Sequence, residues 1–307
     1  MLKPPIEESC LAPAMGKPVC PLFSLSVGAN VHAGVAFDGF NLPNFKYSAL
    51  THLPEMLPKQ YYCHRITTPA AIDGTLTDPS WEALPWSEDF VDITGDDALR
   101  PNLRTRMKMG WDDQFLYIGA ELEEPHVWGT ITEKNAVMFE DNDFEVFIDP
   151  DCDGLNYYEF EINALGSIWE LSLPKPYGEG GVPILGCNIE GLKSAVQVRG
   201  SLNNPCDSDE GWTVEIAIPW SGLAQYHAKR NVPPQPGDRW KLNFSRVQWE
   251  HKIVDEKYVR IPPHGTPIAE SLNPEEQEHP ENNWVWSPQG AVNMHLPLRW
   301  GNVEFLD

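Results

Sequence analysis

The sequence predicts an all-β protein, an antiparallel β-sandwich of jelly-roll type, on three observations. Short segments alternate apolar and polar residues, the period of a strand with one buried face. They recur at short spacing, punctuated by 29 Pro and 23 Gly, the turn-formers that many short connections need. Only residues 221–229 resemble a helix of any length, which argues against an α/β fold.

The elements follow in order. Residues 1–59 carry Pro, Gly and isolated apolar residues without sustained periodicity. They are expected to form an irregular N-terminal extension, ordered in part by packing of residues 37–45 on the sandwich domain, residues 60–307. Residues 61–66 read as a strand, Ile72-Asp73-Gly74 as a turn and residues 78–83 as a short helical piece. Residues 103–111 alternate, and Asp112-Asp113 turns them into a partner at 115–122. Two acidic strands follow, then candidates at 168–173, 194–200, 212–219, 240–248 and 303–306. The polar, Pro-containing stretch 262–283 reads as a long loop.

Composition narrows the function. Forty-one per cent of residues are hydrophobic, enough for a core, and no run of 18 apolar residues is present to span a membrane. Forty-five acidic against 22 basic residues give a net charge of −23, which disfavours a nucleic-acid partner. Six widely spaced cysteines without a Cys-x-x-Cys pair argue against a zinc site and leave disulfides open. The first 14 residues carry Lys3, Glu7 and Glu8 without an apolar h-region, unlike a secretory signal, and the compartment stays open.

The acidic strands are the most informative stretch. Phe144, Val146 and Ile148 point one way, Asp143, Glu145 and Asp149 the other. Tyr158, Phe160 and Ile162 likewise oppose Tyr157, Glu159, Glu161 and Asn163. One face builds core; the other offers carboxylates suited to a hydroxyl-rich ligand or a cation, or to a solvated face paired with Arg104, Arg106 and Lys108. Between the strands, Asp149, Asp151 and Asp153 with Gly154 match the opening of a calcium loop, or an acidic hairpin turn.

Ile72-Asp73-Gly74 with Trp81, Trp111-Asp112-Asp113 before Phe115-Leu116-Tyr117-Ile118, and the strand from Asp143 to Asp149 form an ordered set. Gly211-Trp212-Thr213-Val214-Glu215, Pro219-Trp220, Asn243-Phe244-Ser245-Arg246 and Trp300-Gly301 extend it. Together, over roughly residues 61–307, they resemble carbohydrate-binding module family 9. The resemblance implies a DOMON-like sandwich, structural calcium (Ca2+), and a part in carbohydrate catabolism. It also implies binding of a mono- or oligosaccharide whose terminal ring lies between two aromatic side chains while charged groups bond its hydroxyls. Phe139 matches the first platform and Glu145 the strand carboxylate, with Trp284 or Trp286 offering the second ring. The expected groove is lined by Trp128, Phe139, Glu145, Glu159, Asn163, Arg246 and Trp286, and the domain is expected to be non-catalytic. Two alternatives stand: a glycoside hydrolase using Glu145 and Glu159 as acid and base, and a haem domain ligated from His126, His295, Met294 and Met107.

Overall fold

The computed structural model describes residues 56–95, 98–229, 231–261 and 281–307. Residues 1–55 of the expected extension, with Cys10 and Cys20, and residues 262–280 of the expected loop lie outside the described residues.

Among the described residues the strands are β1 Gln60–Arg65, β2 Val91–Asp92, β3 Thr105–Trp111, β4 Phe115–Glu123, β5 Asp143–Asp149, β6 Tyr157–Asn163, β7 Ile168–Leu173 and β8 Ile184–Leu185. They continue with β9 Lys193–Arg199, β10 Gly211–Pro219, β11 Arg239–Gln248, β12 His251–Val254, β13 Lys257–Arg260, β14 Asn282–Val285 and β15 Gly301–Leu306. Two short helices accompany them, α1 Pro79–Glu82 and α2 Trp220–Leu223.

Local chemistry explains several junctions. Asp78 caps α1 by accepting the Ser80 N–H at 2.9 Å, and Pro79 sits in the first turn, where its missing N–H costs nothing. Asp112 closes the β3–β4 hairpin by accepting the Gln114 and Phe115 N–H groups at 2.7 and 2.8 Å. The buried Glu215 of β10 accepts the N–H groups of Asp73, Gly74 and Leu76 at 2.7–2.8 Å and so ties the Ile72-Asp73-Gly74 turn to the sheet. Gly74 is required there, because at φ +90° a Cβ would stand 2.7 Å from the Val196 carbonyl carbon.

One sheet runs β8-β7-β6-β5-β11-β15-β1-β3-β4-β10-β9, and β14 branches from β11 to pair also with β2. The two ends of this path form the layers of a β-sandwich. Phe144, Val146, Phe160 and Phe244 share one buried cluster with Met107, Met109, Ile118, Val214 and Ile216. The sheet is mixed rather than purely antiparallel, since β1 runs parallel to both β15 and β3.

Three further details differ from the sequence reading. The expected helix at 221–229 is four residues of α2 followed by a 3-10 turn, Ala224–Tyr226, and it contains the poor helix former Gly222. Asn282 and Asn283, assigned to a loop, begin β14, because ladder hydrogen bonds to Gln248 and Val247 do not require apolar side chains. Short strands β2, β8, β12 and β13 also lay below what alternation can reveal.

Neither face of β5 and β6 is open to water: every residue of both strands is buried. A second cluster that includes Met138, Phe147, Tyr157, Trp169, Leu171, Met294 and Trp300 packs on the outer face. The four described cysteines, Cys63, Cys152, Cys187 and Cys206, are free thiols.

Candidate functional site

Strand register builds the site. Ser245, Glu145, Glu161 and Trp169 form one row across β11, β5, β6 and β7. Neighbouring rows are Val247–Asp143–Asn163 and Asn243–Phe147–Glu159–Leu171. Because side chains alternate, all project from the face opposite Phe144 and Phe160. Asp143, Glu145, Glu159 and Glu161 thus converge, each at most 6% exposed.

Three of them, Glu145, Glu159 and Glu161, line a cavity of about 310 Å³ whose walls include Phe139, Trp169, Tyr177, Asn293 and His295. Phe139, 39% exposed, leans on Trp169 with ring centroids 6.2 Å apart. Trp169 Nε1 is buried without a hydrogen-bond partner, as are both oxygens of Asp143 and Oε2 of Glu159 and of Glu161. The Ser245 hydroxyl donates to Asn283 Oδ1 at 2.8 Å on the adjacent rim. A hollow of about 850 Å³ elsewhere, beside Trp249 and His251, is larger but lacks this convergence of carboxylates.

Burial pushes all four floor carboxyls upward. Glu145 rises to about 8, against a smaller opposing pull from the Ser245 hydroxyl. Asp143, Glu159 and Glu161 lie well above the ordinary range, first through burial and then through the charge of Glu145. The nearby Val247 N–H and Glu161 carboxyl, neither in hydrogen-bonding geometry with Asp143, act on it in the opposite sense without overcoming burial. Among the described residues no cationic side chain lies within ion-pair distance of the four. Lys134 instead pairs with Glu170 at 3.1 Å. His295 supplies no charge either, because burial lowers its imidazole to about 3.

Of the residues expected to line the groove, Phe139, Glu145 and Glu159 come together. Asn163 lies on the same face, but its amide donates to Ile131 O and Asp141 Oδ2 at 2.9 Å and its oxygen accepts the Leu165 and Ser167 N–H groups. It orders the neighbouring loop. Arg246 points to the opposite face, since its register partner is Phe144 of the core. There it is 1% exposed, pairs with Glu124 at 3.0 Å and bonds Gln248 and Thr105.

Trp286 is also a core residue. Its ring fills the space over Gly301, where a Cβ would come within 2.2 Å, and meets Tyr61 edge-on. Trp284 lies under the Arg246 guanidinium at 5.1 Å, so neither tryptophan reaches the cavity. Trp128 is buried outside it, stacked on Tyr258 of β13 at 6.2 Å. The basic side chains offered as partners of the carboxylate face are engaged elsewhere: Arg104 and Arg106 pair with Glu123 and Glu121, and Lys108 donates to Trp81 O.

In the β5–β6 connection, carboxylate oxygens of Asp149, Asp151 and Asp153 lie within 4.8 Å of one another. Asp149 accepts the Cys152 and Gly154 N–H groups, Asp153 that of Leu155 and Asp151 that of Ala228. Asp151 Oδ1 is buried without a partner. Burial, with the charges of Asp151 and Asp153, raises Asp149 to about 7. The haem set is scattered: Met107 is in the sandwich core, His126 bonds Tyr258, and Met294 and His295 line the cavity.

Trp169, Tyr177 and His295 were not among the residues expected to line the groove, His295 having been named only in the haem set. Trp169 had a signal, the parity that places it beside Glu161 once β6 and β7 are paired. Tyr177 and His295 arrive on loops and had none.

The family model described as carbohydrate family 9 binding domain-like matches residues 72–233. An exoglucanase, XynX, from Acetivibrio thermocellus is 28% identical over 152 residues, half of this chain and 12% of that protein. Endo-1,4-β-xylanase A from Thermoanaerobacterium saccharolyticum is 29% identical over 116 residues, 38% of this chain and 8% of that protein. A solved structure of a candidate carbohydrate-binding protein from Bacteroides uniformis ATCC 8492 superimposes with a TM-score of 0.55 at 17% identity, covering 81% of this chain and all of the other. That likeness is one of fold.

Proposed function

Because the chain belongs to the carbohydrate family 9 binding domain-like family, we propose that its aromatic-walled, carboxylate-floored cavity binds a mono- or short oligosaccharide without cleaving it, in service of carbohydrate catabolism. The supporting observation is the convergence of Phe139 and Trp169 with Glu145 and Glu159 on one cavity of about 310 Å³. A pyranose presents weakly polarised C–H groups to aromatic rings and hydroxyls to carboxylates, and Trp169 Nε1 offers a free donor. Phe139, the residue that matches the first platform, is exposed enough to be reached from solvent.

Calorimetric titration with glucose, xylose and their β-linked oligomers tests the reading, beside a hydrolysis assay. Heat of binding without turnover is expected, with affinity falling at least about tenfold in Phe139→Ala and Trp169→Ala, the scale of one lost ring contact. Silence with every sugar, or affinities unchanged in both variants, rejects it. Turnover abolished by Glu145→Gln favours the hydrolase instead.

The Asp149, Asp151 and Asp153 group fits calcium in donor type and spacing, with Asp151 Oδ1 left for an ion. We read it as a structural calcium site. Calcium is expected to raise the thermal midpoint less in Asp151→Asn/Asp153→Asn than in the parent; equal shifts remove this assignment.

A further inference from the structure

Four buried carboxyl groups converge at the floor of the cavity, three lining it and Asp143 beside them, and among the described residues no cationic side chain offsets them. One oxygen from each of Asp143, Glu145 and Glu161 lies within 4.8 Å of the other two. That is the span across an ion whose oxygen ligands stand about 2.3–2.6 Å away. Both oxygens of Asp143 and Oε2 of Glu161 are buried without hydrogen-bond partners. An unpaired buried polar group is costly, and native proteins rarely leave three together unsatisfied. The ligand positions are fixed by two paired strands, with Glu145 opposite Glu161 and Asp143 one same-face step along β5.

The geometry points to a divalent cation site of the calcium class formed by Asp143, Glu145 and Glu161 at the floor of the cavity. All-oxygen, anionic donors select hard cations over the softer zinc or copper. This site is separate from the acidic loop, because Asp143 and Asp149 stand at opposite ends of the seven-residue β5, about 20 Å apart at strand rise. An ion here supplies the countercharge that no cationic side chain among the described residues provides. Glu145 and Glu161 line the cavity, so the remaining coordination positions face its interior and accept hydroxyl oxygens of a bound saccharide. Only this last point rests on the saccharide reading; the ion site does not.

The test uses the full chain, stripped with chelator and then freed of it, in the Asp151→Asn/Asp153→Asn background that removes two of the three loop carboxylates. Calcium chloride titrated calorimetrically at pH 7.5 should still bind at one ion per chain. Adding Glu161→Gln or Asp143→Asn should weaken that binding at least about tenfold. At 100 times its Kd, calcium should raise the thermal midpoint by roughly 5 °C, and this rise should fall by about half or more with Glu161→Gln.

If the added substitutions prevent folding, terbium replaces calcium in the loop variant. Trp169, Glu161's neighbour in register, should sensitise its emission, and calcium should quench that emission by competition. No calcium binding in the loop variant, binding indifferent to both floor substitutions, or absence of sensitised terbium emission overturns the site. Equal sugar affinity with and without calcium overturns only the coordination of the saccharide. Loss of sugar binding altogether, with calcium still bound, overturns the saccharide reading and leaves the ion.

Discussion

Glu145 and His295 line the same cavity and titrate in opposite senses. Glu145 is raised from 4.5 to about 8, so the stability of its neutral form is complete below about pH 4.5 and is lost as pH rises through about 8. His295 is lowered from 6.5 to about 3, so its contribution is complete above about pH 6.5 and is lost as pH falls toward 3. Chelator-treated protein is therefore expected to melt highest between about pH 5 and 6.5, with Glu145→Gln flattening the alkaline limb and His295→Gln the acid one. Melting curves across pH check this, and a maximum at pH 8 or above contradicts it. Arg246→Ala is expected to cost about 3–5 kcal/mol in chemical denaturation, because it strands the buried Glu124. The sequence made Phe139, Glu145 and Glu159 legible because strand parity and composition agree there. Arg246 was misplaced although its parity with Phe244, two residues earlier, already put it on the core side. A charged residue in a core position is chosen by a partner, Glu124, that sequence spacing does not reveal.

Glu215 shows how an element can be held from outside its own ladder. Three backbone N–H groups of the Ile72-Asp73-Gly74 turn end on its carboxylate. Glu215→Ala leaves these donors without their acceptor and is expected to cost about 3 kcal/mol, roughly 6–12 °C in melting temperature. Amide exchange should accelerate first at Asp73, Gly74 and Leu76; unchanged protection there refutes the anchoring role. Strand existence was largely legible, since β3 to β7, β10 and β11 carry long alternating or apolar runs. The β12–β13 hairpin and β14 were not, being short and polar and defined by what they pair with. The alternation of β5 and β6 correctly separated core from carboxylates, yet could not show that Met294 and Trp300 roof the second face.

For the molecule as a whole, alternation and turn density gave a sandwich but not its closure. The parallel pairing of β1 with β15, which places Gln60 beside Asn302 and His64 beside Leu306, joins segments from opposite ends of the described fold. No local pattern encodes it. β15 also pairs with β11 and places Phe305 against Trp111, Trp220 and Trp240. Removing residues 301–306 touches no cavity-lining side chain, but is expected to abolish cooperative unfolding, as followed by circular dichroism; a cooperative melt near that of the parent contradicts this. A ribosome delivers the chain amino end first, so all four floor carboxylates emerge long before the strand that closes the sheet. Until β15 arrives, β1 and half of β11 lack a neighbour, and a nascent chain with such edges is open to pairing with other polypeptides. Completion of the barrier against misassembly is thus timed by synthesis, and a pause before codon 301 should prolong dependence on chaperones.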